Sequence, residues 1–130
     1  MFIYVPTIPT DRAALDISGS IIDYFDVIIA TTVSKNGILI RLTEERWKHI
    51  VLMHPSLSNK RAKVLSTVKN PDYIFKGSKK ELLATSKLSS THYLVVVYKE
   101  TTSDGFIITA FDISDVYWLF KKEMIWNKPS

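Results

Sequence analysis

Histidines are the side chains of this sequence best suited to proton transfer near neutral pH, because an imidazole titrates at a pKa of about 6.5. His49 and His54 lie in one predicted helix, and His92 lies in a polar turn. His49 and His54 are five residues apart and diverge by about 140° around a helix, so they do not form the i, i+4 pair of a helical metal site. The histidines therefore favour acid–base chemistry, and we expect no metal or other cofactor.

Missing residue types and motifs narrow the chemistry further. The four glycines are scattered singly, so there is no phosphate-binding glycine loop or nucleophile elbow. Cysteine is absent, which excludes disulfides, zinc–thiolate sites and thiol nucleophiles and fits a reducing cytoplasm. The remaining side chains suit RNA cleavage by the 2′-hydroxyl, which needs a base, a cation for the phosphate charge and an acid for the leaving oxygen.

Both helix histidines also have plainer interpretations. His54 lies on the apolar stripe at the end of the predicted helix, where the helix dipole favours the protonated imidazole. A histidine satisfied there by backbone carbonyls fits the pattern equally well. His49 follows Glu45 by four residues, which is the spacing of an ordinary surface pair.

The positive charge is concentrated in the middle of the chain. Residues 41–99 carry twelve basic and four acidic side chains, a net charge of +8, whereas residues 1–40 and 100–130 each carry a net charge of −2. Such a segment favours a polyanionic partner such as nucleic acid. The alternative is an ordinary solvated lysine face.

Local signals in the first half of the chain predict an arm, a hairpin and two helices. We expect a loosely structured arm over residues 1–20, followed by a single domain over residues 21–130. β-branched and aromatic residues predict one or two strands over 21–33, and Asn36-Gly37 predicts a type I′ turn into a second strand over 38–42. The two helices are expected over residues 43–54, ending before Pro55, and over residues 58–69.

The second half of the chain predicts antiparallel strands joined by short turns. The expected strands are 73–76, 81–87, 93–99 and 106–113. The segment 116–126 is ambiguous, because Lys121-Lys122-Glu123 interrupts it, and residues 124–126 fit a final strand. Helices followed by a run of strands indicate an α+β fold, with an N-terminal β-hairpin and two helices packed on one face of a curved antiparallel sheet.

One stretch of the sequence is distinctive. It reads RLTEERWKHI over residues 41–50 and continues to MHP over residues 53–55. With this stretch, the chain over about residues 38–130 resembles small phage- and prokaryote-encoded proteins of the barnase–EndoU–colicin–RelE-like nuclease superfamily. Shorter pieces that also match are NPD at 70–72, ELLA at 81–84, YLVVVY at 93–98, GFIITA at 105–110 and IWNKP at 125–129.

The resemblance implies a barnase/RelE-like fold and metal-independent RNA cleavage, often by the toxin of a toxin–antitoxin or phage-conflict system. It also implies a basic or imidazole residue on the first helix and a polar residue on a late strand. The corresponding residues here are His54, His49, Arg46, Thr109 and Ser114. The residues expected to bind RNA are Arg41, Lys48, Lys87 and Tyr98. Asp112 and Asp115 depart from the pattern, because they place acid where a phosphate should approach.

Two classes of function follow from these observations. The first is an endoribonuclease toxin acting in the cytoplasm on RNA, with an antitoxin protein as a further partner. The second is a non-catalytic module with the same fold that binds RNA or a protein. No membrane association is expected, since no apolar run approaches the roughly 18 residues that a membrane span needs.

Overall fold

A computed structural model describes residues 27–130, so the arm predicted over 1–20 and the start of the strand predicted over 21–33 lie outside the described residues. The elements are β1 (Ile28–Val33), β2 (Leu39–Thr43), α1 (Glu44–Met53), α2 (Arg61–Lys69), β3 (Tyr73–Lys76), β4 (Leu82–Lys87), β5 (Tyr93–Glu100), β6 (Gly105–Ile113), α3 (Val116–Phe120) and β7 (Met124–Asn127). The fold is α+β, as predicted.

The predicted hairpin is present, but its turn is not the predicted type I′, which needs a positive φ at both Asn36 and Gly37; of these two residues only Gly37 has one. β1 and β2 pair in antiparallel fashion, and Gly37 adopts a φ of 79° at the turn between them. The Gly37 amide donates to the Ser34 carbonyl at 2.9 Å and closes the turn. Glycine suits this position because a side chain is strained at positive φ.

The two predicted helices are present, with one changed boundary. The Thr43 hydroxyl caps α1 by accepting from the Arg46 amide at 3.2 Å, and α1 ends just before the dipeptide His54-Pro55. α2 begins three residues later than predicted, because Pro55–Leu57 form a 3₁₀ turn that brings the chain back towards the sheet.

All seven described strands form one sheet, in the order β1-β2-β6-β5-β4-β3-β7. The predicted antiparallel pairing of β3 with β4, β4 with β5 and β5 with β6 is confirmed. β2 and β6 pair in parallel, with both helices and three strands between them in the chain. The segment 116–126 forms α3 and the start of β7, which pairs with β3.

One surface of the sheet, which we call the helix face, is covered by α1 and α2. α2 packs against β4 and β5 and also against β1. Lys35, just after β1, places its ammonium 5.2 Å from the ring centroid of Trp126 in β7. The sheet therefore curls around α2. The buried residues of this face are Ile40, Leu42, Ile50, Leu57, Val64, Val68, Ala84, Leu94, Val96, Tyr98, Ile107 and Ala110.

The opposite surface, which we call the aromatic face, is covered by the short helix α3. It buries Phe75, Leu83, Val95 and Leu119. Phe120 of α3 makes edge-to-face contacts with three aromatic rings of the sheet, those of Tyr73, Phe75 and Tyr93. Burial raises the pKa of Tyr93, as do the nearby Tyr73 and Asp72 groups. Over residues 27–130, no helix is long and apolar enough to cross a membrane.

Candidate active site

His54 lies where the end of α1 meets the aromatic face of the sheet. Its backbone amide donates to the Ile50 carbonyl at 2.8 Å and closes the last turn of the helix. Its imidazole is half-buried, and the ring centroid lies 5.9 Å from that of Phe111 in β6. The imidazole therefore contacts an aromatic side chain and retains access to solvent.

This contact depends on an edge of β6 that its neighbour leaves open. β2 pairs with β6 only through Gly105 and Phe106, so residues 107–113 have no strand on that side within the described chain. α1 packs against β6 there. The helix thus lies along the edge, and His54, the residue after the helix, contacts Phe111.

Arg46 attaches α1 to that edge. The register of β5 and β6 shifts between the pairs Tyr98–Ile107 and Val97–Thr109, which leaves Ile108 as an extra residue in a β-bulge. Arg46 Nε donates to the Ile108 carbonyl at 2.8 Å and satisfies the acceptor that the bulge leaves out of the ladder. Arg46 therefore positions the helix, and its guanidinium stays beside β6.

Thr109 and Ser114 lie along the same strand. Thr109 pairs with Val97, which places its half-buried side chain on the aromatic face two residues before Phe111. Ser114 is exposed just after β6, where its carbonyl accepts from the Val116 amide at 3.0 Å. The structure therefore brings four of the five expected catalytic residues to one strip, which we call the β6 seam and which consists of Arg46, His54, Thr109, Phe111 and Ser114.

The two acidic residues near the seam are held by local hydrogen bonds. Asp112 pairs with Leu94 and so lies on the helix face, where its carboxylate accepts from the Ser56 hydroxyl at 3.2 Å. The carboxylate of Asp115 caps α3 by accepting from the Trp118 amide at 2.9 Å. Both carboxylates accept local hydrogen bonds, and alternation along β6 turns Asp112 away from Phe111.

The other two expected site residues of α1, Lys48 and His49, lie on its solvent side. Lys48 forms a 3.6 Å ion pair with Glu44, and its side chain is 74% exposed. Two residues correspond to about 200° around a helix, so Lys48 points away from Arg46 and β6. His49 is exposed, and as the i+3 neighbour of Arg46 it lies closer to the seam than Lys48 does.

The other residues expected to bind RNA are dispersed. Arg41 forms a 2.6 Å ion pair with Asp104 near the end of the sheet opposite His54. Tyr98 is 1% exposed in the helix-face core, and burial raises the pKa of its phenol strongly. A side chain enclosed by the core makes no surface contact, so the assignment of Tyr98 to RNA binding is corrected.

Lys87 fits the expected role better. It is exposed at the end of β4, and the strand register places it in one row with Tyr93 and Ile113. That row crosses the aromatic face at the same end of β6 as the seam. Lys87 thus supplies a cation on the aromatic face, the face on which Thr109 and Phe111 of the seam lie.

Sequence reasoning missed the aromatic part of this region. The pattern indicated Phe111 only as a strand residue, and it did not single out Trp118, whose ring centroid lies 6.2 Å from that of Phe111. The sequence did contain a signal for this aromatic surface, because Tyr117 and Trp118 are each followed four residues later by a lysine, the spacing at which a helix brings a cation beside a ring. Within residues 27–130, no group of three or more His, Asp or Glu side chains is arranged to hold a metal ion.

Comparisons with protein-family models, with curated proteins and with solved structures found no match for this chain. Its function is therefore inferred from the geometry of the β6 seam and its surroundings.

Proposed function

We propose that this protein is a metal-independent endoribonuclease with a barnase/RelE-like arrangement of its α+β fold. The observation that carries the proposal is the position of His54. Its imidazole is half-buried at the border of the aromatic face and in ring contact with Phe111. A histidine held in this way can serve as a general acid or base towards a bound substrate, because its imidazole is accessible and is held in place by a neighbouring ring.

The reaction is attack of a ribose 2′-oxygen on the adjacent phosphorus. The P–O5′ bond breaks, the 2′-hydroxyl gives up its proton, and the leaving 5′-oxygen gains one. The products are a 2′,3′-cyclic phosphate and a 5′-hydroxyl. His54 serves one of the two proton transfers as general acid or base.

The other residues of the seam have supporting roles. The guanidinium of Arg46, held beside β6 by its bond to Ile108, supplies positive charge for the crowded phosphate, and His49 on the next turn is the alternative group for that role. Thr109 and Ser114 orient the substrate through their hydroxyls. Lys87 attracts the RNA backbone from the far side of the aromatic face.

The proposal includes a biological role as a toxin whose RNA cleavage in the cytoplasm is held in check by an antitoxin protein. Induced expression in a bacterial host should then arrest growth. The His54→Ala variant, expressed to the same level, should not. Equal arrest by both proteins would contradict a cleavage-based toxin.

The direct test uses purified protein and end-labelled total RNA in a buffer that contains EDTA. We expect cleavage in EDTA and fragments that end in 2′,3′-cyclic phosphate. An oligonucleotide with a single 2′-deoxy substitution at the cleaved position should resist cleavage there. Activity that disappears in EDTA, or cleavage of the deoxy-substituted site, would overturn the proposed chemistry.

A second candidate is a non-catalytic RNA-binding module with the same fold. It is favoured by the row of Lys87, Tyr93 and Ile113, which places a cation beside half-buried apolar side chains on the aromatic face. Salt-dependent RNA binding without any cleavage would select this candidate.

A further inference from the structure

The helix α3 exposes two large aromatic side chains next to the β6 seam. Tyr117 is 78% exposed and Trp118 is 40% exposed. A lysine ammonium lies over each ring, Lys121 at 5.4 Å from the centroid of Tyr117 and Lys122 at 4.5 Å from that of Trp118. Each exposed ring thus has a cation four residues further along the chain.

Trp118 continues the aromatic surface that begins at His54, and Tyr117 precedes it in α3. The imidazole of His54 contacts Phe111 at 5.9 Å, and Phe111 contacts Trp118 at 6.2 Å. α3 is held on the sheet by the fully buried Leu119 and by the contacts of Phe120 with Tyr73, Phe75 and Tyr93. The ring of Trp118 and the imidazole of His54 therefore contact the same residue of β6, Phe111.

Single-stranded RNA has the matching chemistry. Its unpaired bases present flat π-faces that stack on tyrosine and tryptophan, and a phosphate lies beside each base. Base pairs in a duplex are stacked on one another and do not offer those faces. A base that stacks on Trp118 would move the Lys122 ammonium from the ring towards the neighbouring phosphate.

We propose that Tyr117 and Trp118 stack unpaired bases of single-stranded RNA beside the cleaved bond and that Lys121 and Lys122 bind the adjoining phosphates. The inference rests on the proposed ribonuclease function and names its substrate class, RNA that is unpaired at the cut. It also assigns α3 a role in substrate positioning, distinct from the proton transfer at His54.

The test measures binding of a fluorescein-labelled 2′-O-methyl RNA of about 12 nucleotides, which has no 2′-hydroxyl to attack. The single strand should bind more tightly than the same sequence in a duplex. Trp118→Ala should weaken single-strand binding about tenfold, and Tyr117→Ala, which changes a largely exposed side chain, should weaken it by a smaller factor. The double variant Lys121→Gln/Lys122→Gln should reduce the slope of log affinity against log salt by about 1.4.

Matched controls lie elsewhere on the molecule. Lys79→Gln/Lys80→Gln removes the same charge from the exposed turn before β4 and should leave the preference for single strands intact. Trp126→Ala removes a tryptophan that also has a lysine over its ring, at the opposite edge of the sheet. Circular dichroism confirms the fold of each variant, and Tyr117→Ala alone decides the test if Trp118→Ala does not fold.

Equal affinity for single strand and duplex, or unchanged affinity in Tyr117→Ala and Trp118→Ala, would overturn the inference. The inference also fails if these variants keep RNA affinity but lose a protein partner, since α3 would then be a protein-binding surface. His54→Ala separates the two proposals. If it cleaves normal RNA as well as the wild type while Trp118→Ala binds weakly, the ribonuclease site is wrong and the stacking surface stands. If His54→Ala loses cleavage while Trp118→Ala binds RNA as tightly as the wild type, the stacking surface is rejected and the ribonuclease site stands.

Discussion

The two faces of the sheet differ in composition and in what covers them. The helix face contributes eight residues to its core cluster, of which only Tyr98 is aromatic, and the covering helices with the turn between them contribute four more. The aromatic face buries three residues, Phe75, Leu83 and Val95, under a helix of five residues and leaves the side chains of Trp118 and Phe120 partly exposed. The comparison indicates that one face supplies most of the core packing, which leaves the other free to present side chains to a ligand.

The physical basis of the difference is the alternation of side chains along each strand. In β5, Leu94 and Val96 pack under the helices, whereas Tyr93 and Val97 belong to the aromatic face. A change on either face therefore tests one role with little effect on the other.

The largest expected effect is the loss of cleavage in His54→Ala. We expect a decrease of about two to four orders of magnitude, the usual contribution of one acid–base group, with little change in the free energy of unfolding. Kinetics on a labelled RNA and thermal unfolding of the same preparation measure the two quantities. His49→Ala is the matched control on the solvent side of the helix and should retain more activity.

A His54→Ala protein that unfolds would show that the side chain is a core residue. Cleavage that persists in the His49→Ala/His54→Ala double variant would place the active site elsewhere. Either result would remove the functional distinction between the two faces.

The next effect compares how much each face contributes to the free energy of unfolding. Ile50→Ala opens a cavity at the fully buried position of α1 and should lower the free energy of unfolding by about 2–5 kcal/mol. Phe120→Ala removes a ring that is 38% exposed and should cost only about 1–2 kcal/mol. Urea denaturation of both variants measures the difference, and a larger loss for Phe120→Ala would reverse the assignment of the stabilising face.

A smaller effect concerns the attachment of β7 at the edge of the sheet. Burial raises the pKa of Asp72, but hydrogen bonds from Lys128 and the Lys87 amide, with the charges of Lys128 and Lys63, outweigh it and hold the pKa below its usual value. The charged carboxylate of Asp72 stabilises the folded state fully above the unfolded pKa of about 3.9. This stabilisation is lost as the pH falls through the lower folded pKa.

Asp72→Asn should therefore cost up to about 1 kcal/mol at pH 7 and less as the pH falls through that range. Denaturation at pH 7 and at pH 3 measures this change. A difference between wild type and variant that does not narrow at acid pH would show that the charge of Asp72 has no part in holding β7.

The smallest expected effect is on the salt dependence of RNA binding. Lys87→Gln on the aromatic face should lower the slope of log affinity against log salt by about 0.7, because one phosphate contact to a single strand is lost. Lys48→Gln, on the solvent side of α1, should leave the slope unchanged. If Lys48→Gln has the larger effect, RNA crosses α1 and does not lie on the aromatic face.

Short-range signals predicted most of the elements. Asn36-Gly37 identified the hairpin turn, the Thr43 cap marked the start of α1, and Pro55 marked its end. Each feature depends on the backbone preferences of one or two residues, so neighbouring sequence is sufficient to define it. The candidate role of His54 was also visible, because an imidazole at the end of a helix is evident from spacing alone.

Three features depended on tertiary structure. The first six residues of β5, YLVVVY, are all apolar or aromatic, so periodicity could not show that Tyr98 points into the helix-face core. The parallel pairing of β2 with β6 joins segments more than sixty residues apart and leaves the open edge that α1 occupies. The contact of His54 with Phe111 follows from that edge. Local sequence thus determined which side chains can do chemistry. Long-range strand order decided which of them meet, because the order of the strands depends on burying apolar residues from all parts of the chain on both faces of the sheet.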